Sequence, residues 1–239
     1  MQSILTIFKR EFLGYFRSPV AYVFLIVFLV ASIVMAWFVG RFFDANNASL
    51  SGMFNFFPYI FVVFIPAVGM RLWAEERKSG TWELLFTLPI STTHAVIGKF
   101  LAAWLFITIT IAMTFTMPIT VGYLGDPDWG LIFSGYLASV LMAGIYLSIC
   151  SLMSAVTKNQ VIAFVLGFIA CLIMILMGYS ILNNLIDFLP VAVLDAIGNI
   201  SFMPHYMSAV EGIVTISSFI YFISFTALGL LLNIIVLER

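Results

Sequence analysis

The chain has 239 residues, of which 63% are hydrophobic and 9% charged, with a formal net charge of −1. A soluble domain carries about 25% charged and 45–50% apolar residues, so this composition excludes an ordinary soluble protein and points to an integral membrane protein. The absence of a basic excess argues against a nucleic-acid partner, which needs a positive surface.

Residues 3–17 read as an amphipathic helix. Ile4, Phe8, Phe12 and Tyr15 recur at helical spacing, while Lys9, Arg10 and Arg17 supply positive charge. Such a helix lies in the membrane interface rather than across it, and Pro19 separates it from the first span. Two roles fit: a basic flank that fixes topology, or an elbow helix that also touches a partner through Phe8, Lys9, Arg10 and Phe12. No secretory signal is expected. The first long apolar run begins after Pro19, exceeds a 7–15-residue signal core and lacks a small-residue cleavage site.

Six apolar runs are long enough to cross a bilayer, which takes about 20 residues: roughly 20–40, 54–72, 99–122, 131–156, 161–182 and 213–236. None has a charge in its middle, and Arg71 and Lys99 lie at ends where they are expected to snorkel. Six spans put both termini on one side. With that side cytoplasmic, every lysine and arginine but Arg41 falls inside. Asp44, Asp126, Asp128, Asp187, Asp195 and Glu211 fall outside. The basic bias therefore predicts both termini in the cytoplasm. Trp37, Phe42, Phe43, Tyr59, Tyr123 and Trp129 suit an outer aromatic belt. Cys150 and Cys171 sit in apolar runs and read as small buried hydrophobes. Ser139/Ala143 and Ser151/Ala155 in the fourth span have the small-residue spacing that allows close helix contact.

The longest polar interruption is 73–98. Glu75, Glu76, Arg77 and Lys78 are expected to continue the second span as a helix on the cytoplasmic side. Gly80 would break it, and Thr81 would cap a short new helix. In that helix Trp82, Leu85 and Phe86 share one face, Pro89 is the stop, and Ser91 or Thr92 caps the helix into the third span. A surface helix resting on lipid and a docking helix for a cytoplasmic partner both fit; the charge and the apolar face side by side favour docking. The stretch 183–212 is apolar on average but interrupted by Asn, Asp and Pro. It is expected to form one or two short outer or re-entrant helices. A lid over an outer exit, with Asp187, Pro190 and Asp195 as gate residues, and a plain packing element fit it equally.

Several chemistries are missing. The only Gly-Lys pair, Gly98-Lys99, has Thr93 where a phosphate-binding loop needs its first glycine and Phe100 where it needs Ser or Thr. No His-Glu-x-x-His occurs, and His94 and His205 are expected on opposite sides of the membrane, so they cannot share a metal. His205 reads as a loop residue. Asn47-Ala48-Ser49 and Asn199-Ile200-Ser201 are weak glycosylation patterns. Glu75-Glu76 resembles the start of one intramembrane-protease motif, but Gly80 stands where that motif has arginine.

The run from Pro66 to Arg71, the core Glu75-Glu76-Arg77-Lys78-Ser79-Gly80-Thr81-Trp82-Glu83-Leu84-Leu85-Phe86-Thr87-Leu88-Pro89, and Gly98-Lys99-Phe100-Leu101 resemble the signature of ABC-2-type permeases. The resemblance covers the whole chain. Within the family it is most similar to the gliding-motility permease GldF and more loosely to the copper-site maturation permease NosY. Phe86 stands where relatives often have a smaller residue. The resemblance implies an all-α, six-span membrane domain in a bacterial inner membrane, one half of an exporter. Two separate ATPase subunits would bind ATP and magnesium, and this chain would carry no cofactor, metal or catalytic residue. The second membrane subunit would be another copy or a different protein with a large outer domain. Glu75, Glu76, Gly80, Thr81, Glu83 and Leu84 match the family's coupling segment. Trp82, Leu85 and Phe86 are expected to fill a groove on the ATPase. Glu75, Glu76 and Glu83, with Arg77 and Lys78 beside them, would set its orientation through charge. A membrane scaffold without a translocated substrate is the alternative, and a substrate cannot be read from the sequence.

Overall fold

The computed structural model describes residues 2–40, 49–80, 91–178 and 200–238. Every regular element among them is helical. In chain order these are α1 (Gln2–Arg17), α2 (Pro19–Val34, continued by a π-turn at Met35–Val39), α3 (Ser51–Gly69) and α4 (Arg71–Ser79). Then come α5 (Thr92–Ala112, followed by a 3-10 turn at Met113–Phe115), α6 (Thr116–Leu124), α7 (Trp129–Val156), α8 (Gln160–Leu176), α9 (Met203–Val210) and α10 (Ile216–Leu237).

Five stretches are long and apolar enough to cross a membrane: Pro19–Val39, Ser51–Ser79, Thr92–Leu124, Trp129–Val156 and Ile216–Leu237. The expected span at 161–182 is described as α8, which has 17 residues. That helix rises about 26 Å at 1.5 Å per residue, slightly less than a hydrocarbon core of about 30 Å. Residues 179–182 lie outside the described residues, as do Phe42, Phe43 and the whole of 183–199.

Helix α7 is the axis of the bundle. It packs against α3, α4, α5, α8, α9 and α10. Its sequence explains why it can: Gly135, Ala138, Ser139, Ala143, Gly144, Ser148, Ser151, Ser154 and Ala155 are all buried. Small side chains let neighbouring backbones approach, which is the main source of helix association where lipid is as apolar as the protein. The contacts are tight enough to be tested atom by atom. A Cβ on Gly69 of α3 would lie 2.6 Å from Cys150 Cβ, and one on Gly229 of α10 would lie 2.5 Å from Ser148 Oγ. Ser139, Ala143, Ser151 and Ala155 are at this buried surface, as their spacing suggested.

Two prolines inside helices are compensated from neighbouring helices. Pro58 in α3 has no N–H to donate to the Phe54 carbonyl four residues back; the Tyr206 hydroxyl of α9 donates to that carbonyl at 2.7 Å. Pro118 in α6 likewise has no N–H to donate to the Thr114 carbonyl, and the Tyr136 hydroxyl of α7 donates to it at 3.2 Å. An unsatisfied carbonyl in lipid costs several kcal/mol, so these tyrosines are structural. An aromatic ladder fills the space between α2, α3 and α7: Phe28 meets Phe57, Phe61 and Phe64, and Phe61 abuts Tyr146.

Cys150 and Cys171 are both buried, with Sγ atoms 3.6 Å apart between α7 and α8. The short outer helix expected in 183–212 is represented by α9, which packs on α7 and α3. His205 is on this helix rather than in a loop; its Nδ1 is 3.1 Å from Ser218 Oγ and its ring stacks on Tyr221 at 4.4 Å.

Candidate coupling site

The polar groups expected at the end of the second span form a connected cluster where α1, α4, α5 and α7 meet. Helix α1 is amphipathic as predicted. Ile7 is buried against α5, and Tyr15 stacks on Phe106 at 4.9 Å. The approach is possible because residue 98 is glycine: a Cβ there would come within 3.0 Å of Ile7. Phe8 and Phe12 stack on one another at 5.7 Å and are half-buried, while Lys9 and Arg10 are exposed.

Lys99 is the centre of the cluster, and its position departs from expectation. It does not snorkel: its side chain is 3% exposed. Its ammonium lies 2.7 Å from Glu76 Oε1 and 3.6 Å from Glu11 Oε1, donates to the Leu72 carbonyl at 3.0 Å, and sits 5.0 Å from the centre of the Trp73 ring. A buried ammonium is tolerated only when paired and hydrogen-bonded, and two other helices, α1 and α4, supply those partners. Arg10 extends the network, 2.8 Å from Glu11 and 3.8 Å from Glu76. Burial pushes the Glu11 carboxyl up, but the Lys99 ammonium and the Arg10 pair outweigh it and hold it below its ordinary value of 4.5.

Glu76 therefore points inward to Lys99 and Arg10, whereas the sequence predicts a charge offered to a partner. Glu75 and Lys78 are exposed, and Arg77 is half-buried. Gly80 ends α4 with φ 73°, the left-handed conformation. Among the described residues, no heavy atom beyond its chain neighbours and its own helix backbone lies within 4 Å of where its Cβ would be. Glycine is favoured here for its backbone angle, not for space. Thr81, Trp82, Glu83, Leu84, Leu85 and Phe86 lie outside the described residues, as do the expected gate residues Asp187, Pro190 and Asp195. Ser91, one of the two expected caps, caps α5 by accepting from the His94 N–H at 3.3 Å, and the helix begins at Thr92, ahead of the expected span at 99.

The expected uninterrupted helix from the second span into Glu75–Lys78 is opened at Met70. Ser154 of α7 inserts its hydroxyl there. Its Oγ accepts from the Trp73 and Ala74 N–H groups at 3.1 and 3.0 Å and donates to the Met70 carbonyl at 2.9 Å. Insertion of a side chain into the helical ladder is a recognised cause of a helix bend. One turn earlier on α7, Ser151 Oγ accepts from Trp73 Nε1 at 3.1 Å and from the Asn233 side-chain amide of α10. Thus α4 is tied to α5 by an ion pair and to α7 and α10 by hydroxyl bridges. Sequence reasoning misses this role of Ser151, Ser154 and Asn233. The only signal for the serines is a run of small polar residues in an otherwise apolar helix.

Residues 5–237 match the family described as ABC-2 family transporter protein. The chain belongs to this family. The match spans the bundle from α1 to the end of α10, so it takes in α1 and the polar cluster as well as the apolar spans. An ABC-2 membrane domain is a permease subunit of an ABC-type transporter, and the family implies an ABC ATPase partner and a lipid membrane. No curated protein matches the chain.

Proposed function

We propose that this ABC-2 permease is half of an exporter and that its α4 end, continued by residues 81–89, receives the ATPase. The observation that supports this is the anchoring of α4. A helix that must carry force from a docked partner needs rigid attachment to the spans, and α4 is held by Lys99 of α5, Ser154 of α7 and, through Ser151, Asn233 of α10. In this reading Trp82, Leu85 and Phe86 dock on the ATPase, with Lys78 and Glu83 at the rim. Glu76 serves the anchor rather than the interface.

Closure of two ATPase subunits on ATP and magnesium would press α4 and tilt α7 and α10 with it, the rigid-body movement that alternating access requires. The chain would cross a bacterial inner membrane six times with both termini in the cytoplasm, paired with a second copy or a different membrane subunit. Helix α1 would act as the elbow beside the docking site. The likeness of residues 66–101 to gliding-motility permeases supports placing it near that branch of the family.

The test is purification of the tagged chain from its native membrane in mild detergent, with mass spectrometry of what remains bound. A co-purifying ABC ATPase, lost in Gly80→Val and Trp82→Ala, is the expected result. Intact chain without an ATPase, under conditions that preserve other ABC complexes, would sink the coupling reading in favour of a membrane scaffold.

A further inference from the structure

A cavity of about 250 Å³ opens between α1, the start of α2, the α3–α4 junction and α5. Its wall is divided by chemistry. Ala21, Phe24 and Val68 make an apolar side, and Tyr15, Arg71 and Glu75 make a polar one. Arg71 Nε is buried and has no hydrogen-bond partner, and Arg71 forms no ion pair among the described residues. A guanidinium cannot shed its charge, and a buried donor left unmet costs about 1–3 kcal/mol or more. The Tyr15 hydroxyl on the same wall has no hydrogen-bond partner among the described residues either. Burial raises the Tyr15 pKa, so the phenol stays protonated and remains a donor. Glu11 also borders the cavity, but Arg10 and Lys99 already engage its carboxylate. Glu75, one helical turn beyond Arg71, is exposed and forms no ion pair among the described residues.

The polar wall thus presents one buried unmet donor, Arg71 Nε, with the Tyr15 hydroxyl and the Glu75 carboxylate beside it, neither of them partnered among the described residues, at the end of the bundle where the amphipathic α1 lies. We propose that this cavity binds the headgroup of an aminophospholipid, its phosphate on Arg71 and Tyr15 and its ammonium on Glu75. The apolar wall leads to α2, in which only Ala21, Phe28 and Ser32 are buried and Val20, Val23 and Val27 are exposed. That face gives an acyl chain a path out to the bilayer. Charge selects the headgroup: phosphatidylglycerol offers the same phosphate but only a neutral glycerol to set against Glu75 and Glu11, whereas an aminophospholipid sets its ammonium there. The volume suits a headgroup rather than a whole ligand, since pockets for larger molecules run from about 300 to 1,000 Å³.

The site does not depend on the ATPase reading, and its test needs no nucleotide. The full-length chain is purified from nanodiscs made of equal phosphatidylethanolamine, phosphatidylglycerol and phosphatidylcholine, and the retained lipid is quantified by native mass spectrometry. Wild type is expected to retain phosphatidylethanolamine. Arg71→Ala should lower retention about tenfold, the size of one lost charge-assisted hydrogen bond, and Arg71→Lys should lower it less. Glu75→Gln, at an exposed position where folding is not at stake, should shift the preference toward phosphatidylglycerol. Equal retention in wild type and in both Arg71→Ala and Glu75→Gln would overturn the proposal, as would a wild-type preference for phosphatidylglycerol. Displacement of the bound lipid by millimolar phosphoethanolamine would also overturn it, because the site would then recognise a soluble phosphate amine without need of acyl chains.

Discussion

Helices α2 and α7 are both long and apolar, yet they occupy opposite positions in the molecule. In the 18-residue apolar window of Pro19–Val39, 17% of residues are buried; in that of Trp129–Val156 the figure is 67%. The more apolar helix is the outer one, and the same inversion holds for Ile216–Leu237, with 22% buried. In water the reverse would be expected. In a bilayer, hydrophobicity does not draw a helix inward, because lipid satisfies it equally well. What places α7 at the centre is small side chains and hydroxyls that other backbones can reach. Helix α2, rich in Val, Leu and Phe, has few such points of approach and keeps only Ala21, Phe28 and Ser32 buried.

The comparison can be broken at its most stringent point by removing the buried charge at the α4 end of the bundle. Lys99→Ala would leave Glu76 and Glu11 facing one another without their ammonium. A loss of about 3–5 kcal/mol is expected from orphaning a buried pair, read as a lower unfolding midpoint in a mild detergent. Recovery in the Lys99→Ala/Glu76→Gln double variant would place the cost in the orphaned carboxylate. A change under about 1 kcal/mol in the single variant would mean that the tie is solvated and that burial here is not selective.

The packing half of the comparison rests on Gly69, whose missing Cβ makes room for Cys150. Gly69→Val should cost about 1–3 kcal/mol by overpacking. Val23→Leu, on the exposed face of α2, should stay within about 0.5 kcal/mol. Equal thermal shifts for the two would refute the idea that approach, rather than apolarity, decides position. A smaller effect than at Gly69 is expected at Gly80, which sharpens the distinction between glycines of space and glycines of angle. Gly80→Ala meets no neighbour among the described residues but must hold a left-handed conformation, at a cost of about 1–2 kcal/mol. Gly80→Asn should cost less. Hydrogen exchange at the end of α4 should register the difference while the core remains protected.

The spans and α1 were legible because both are carried by local patterns: apolar runs of bilayer length, and aromatic residues at helical spacing. The limits of the Pro19–Val39 stretch and of α7 fall within about two residues of expectation. The cluster at Lys99 was not legible. A single lysine at the end of an apolar run is ordinarily a snorkelling residue, and its burial depends on Glu11 and Glu76, which only the tertiary fold brings to it. The same applies to Ser154. A serine in a transmembrane helix usually bonds its own backbone, as Ser148 does with Ile145, and nothing local distinguishes Ser154, which enters the ladder of another helix. The residues matching the family's coupling segment were recognisable by motif, but motif alone did not separate Glu76, turned inward, from Glu75, turned outward.

The borrowed hydroxyls at Pro58 and Pro118 carry a mechanical consequence. Each replaces one rung of a helix with a bond from a different helix, so α3 is indexed to α9 and the α5–α6 unit to α7. A slide by one helical turn, about 5.4 Å along the axis, would carry donor and acceptor beyond hydrogen-bonding range and strip each carbonyl of its borrowed donor. These helices therefore have detents rather than smooth bearings. Any opening that preserves both bonds must move the indexed pairs as blocks and part the molecule along seams that no tyrosine bridges.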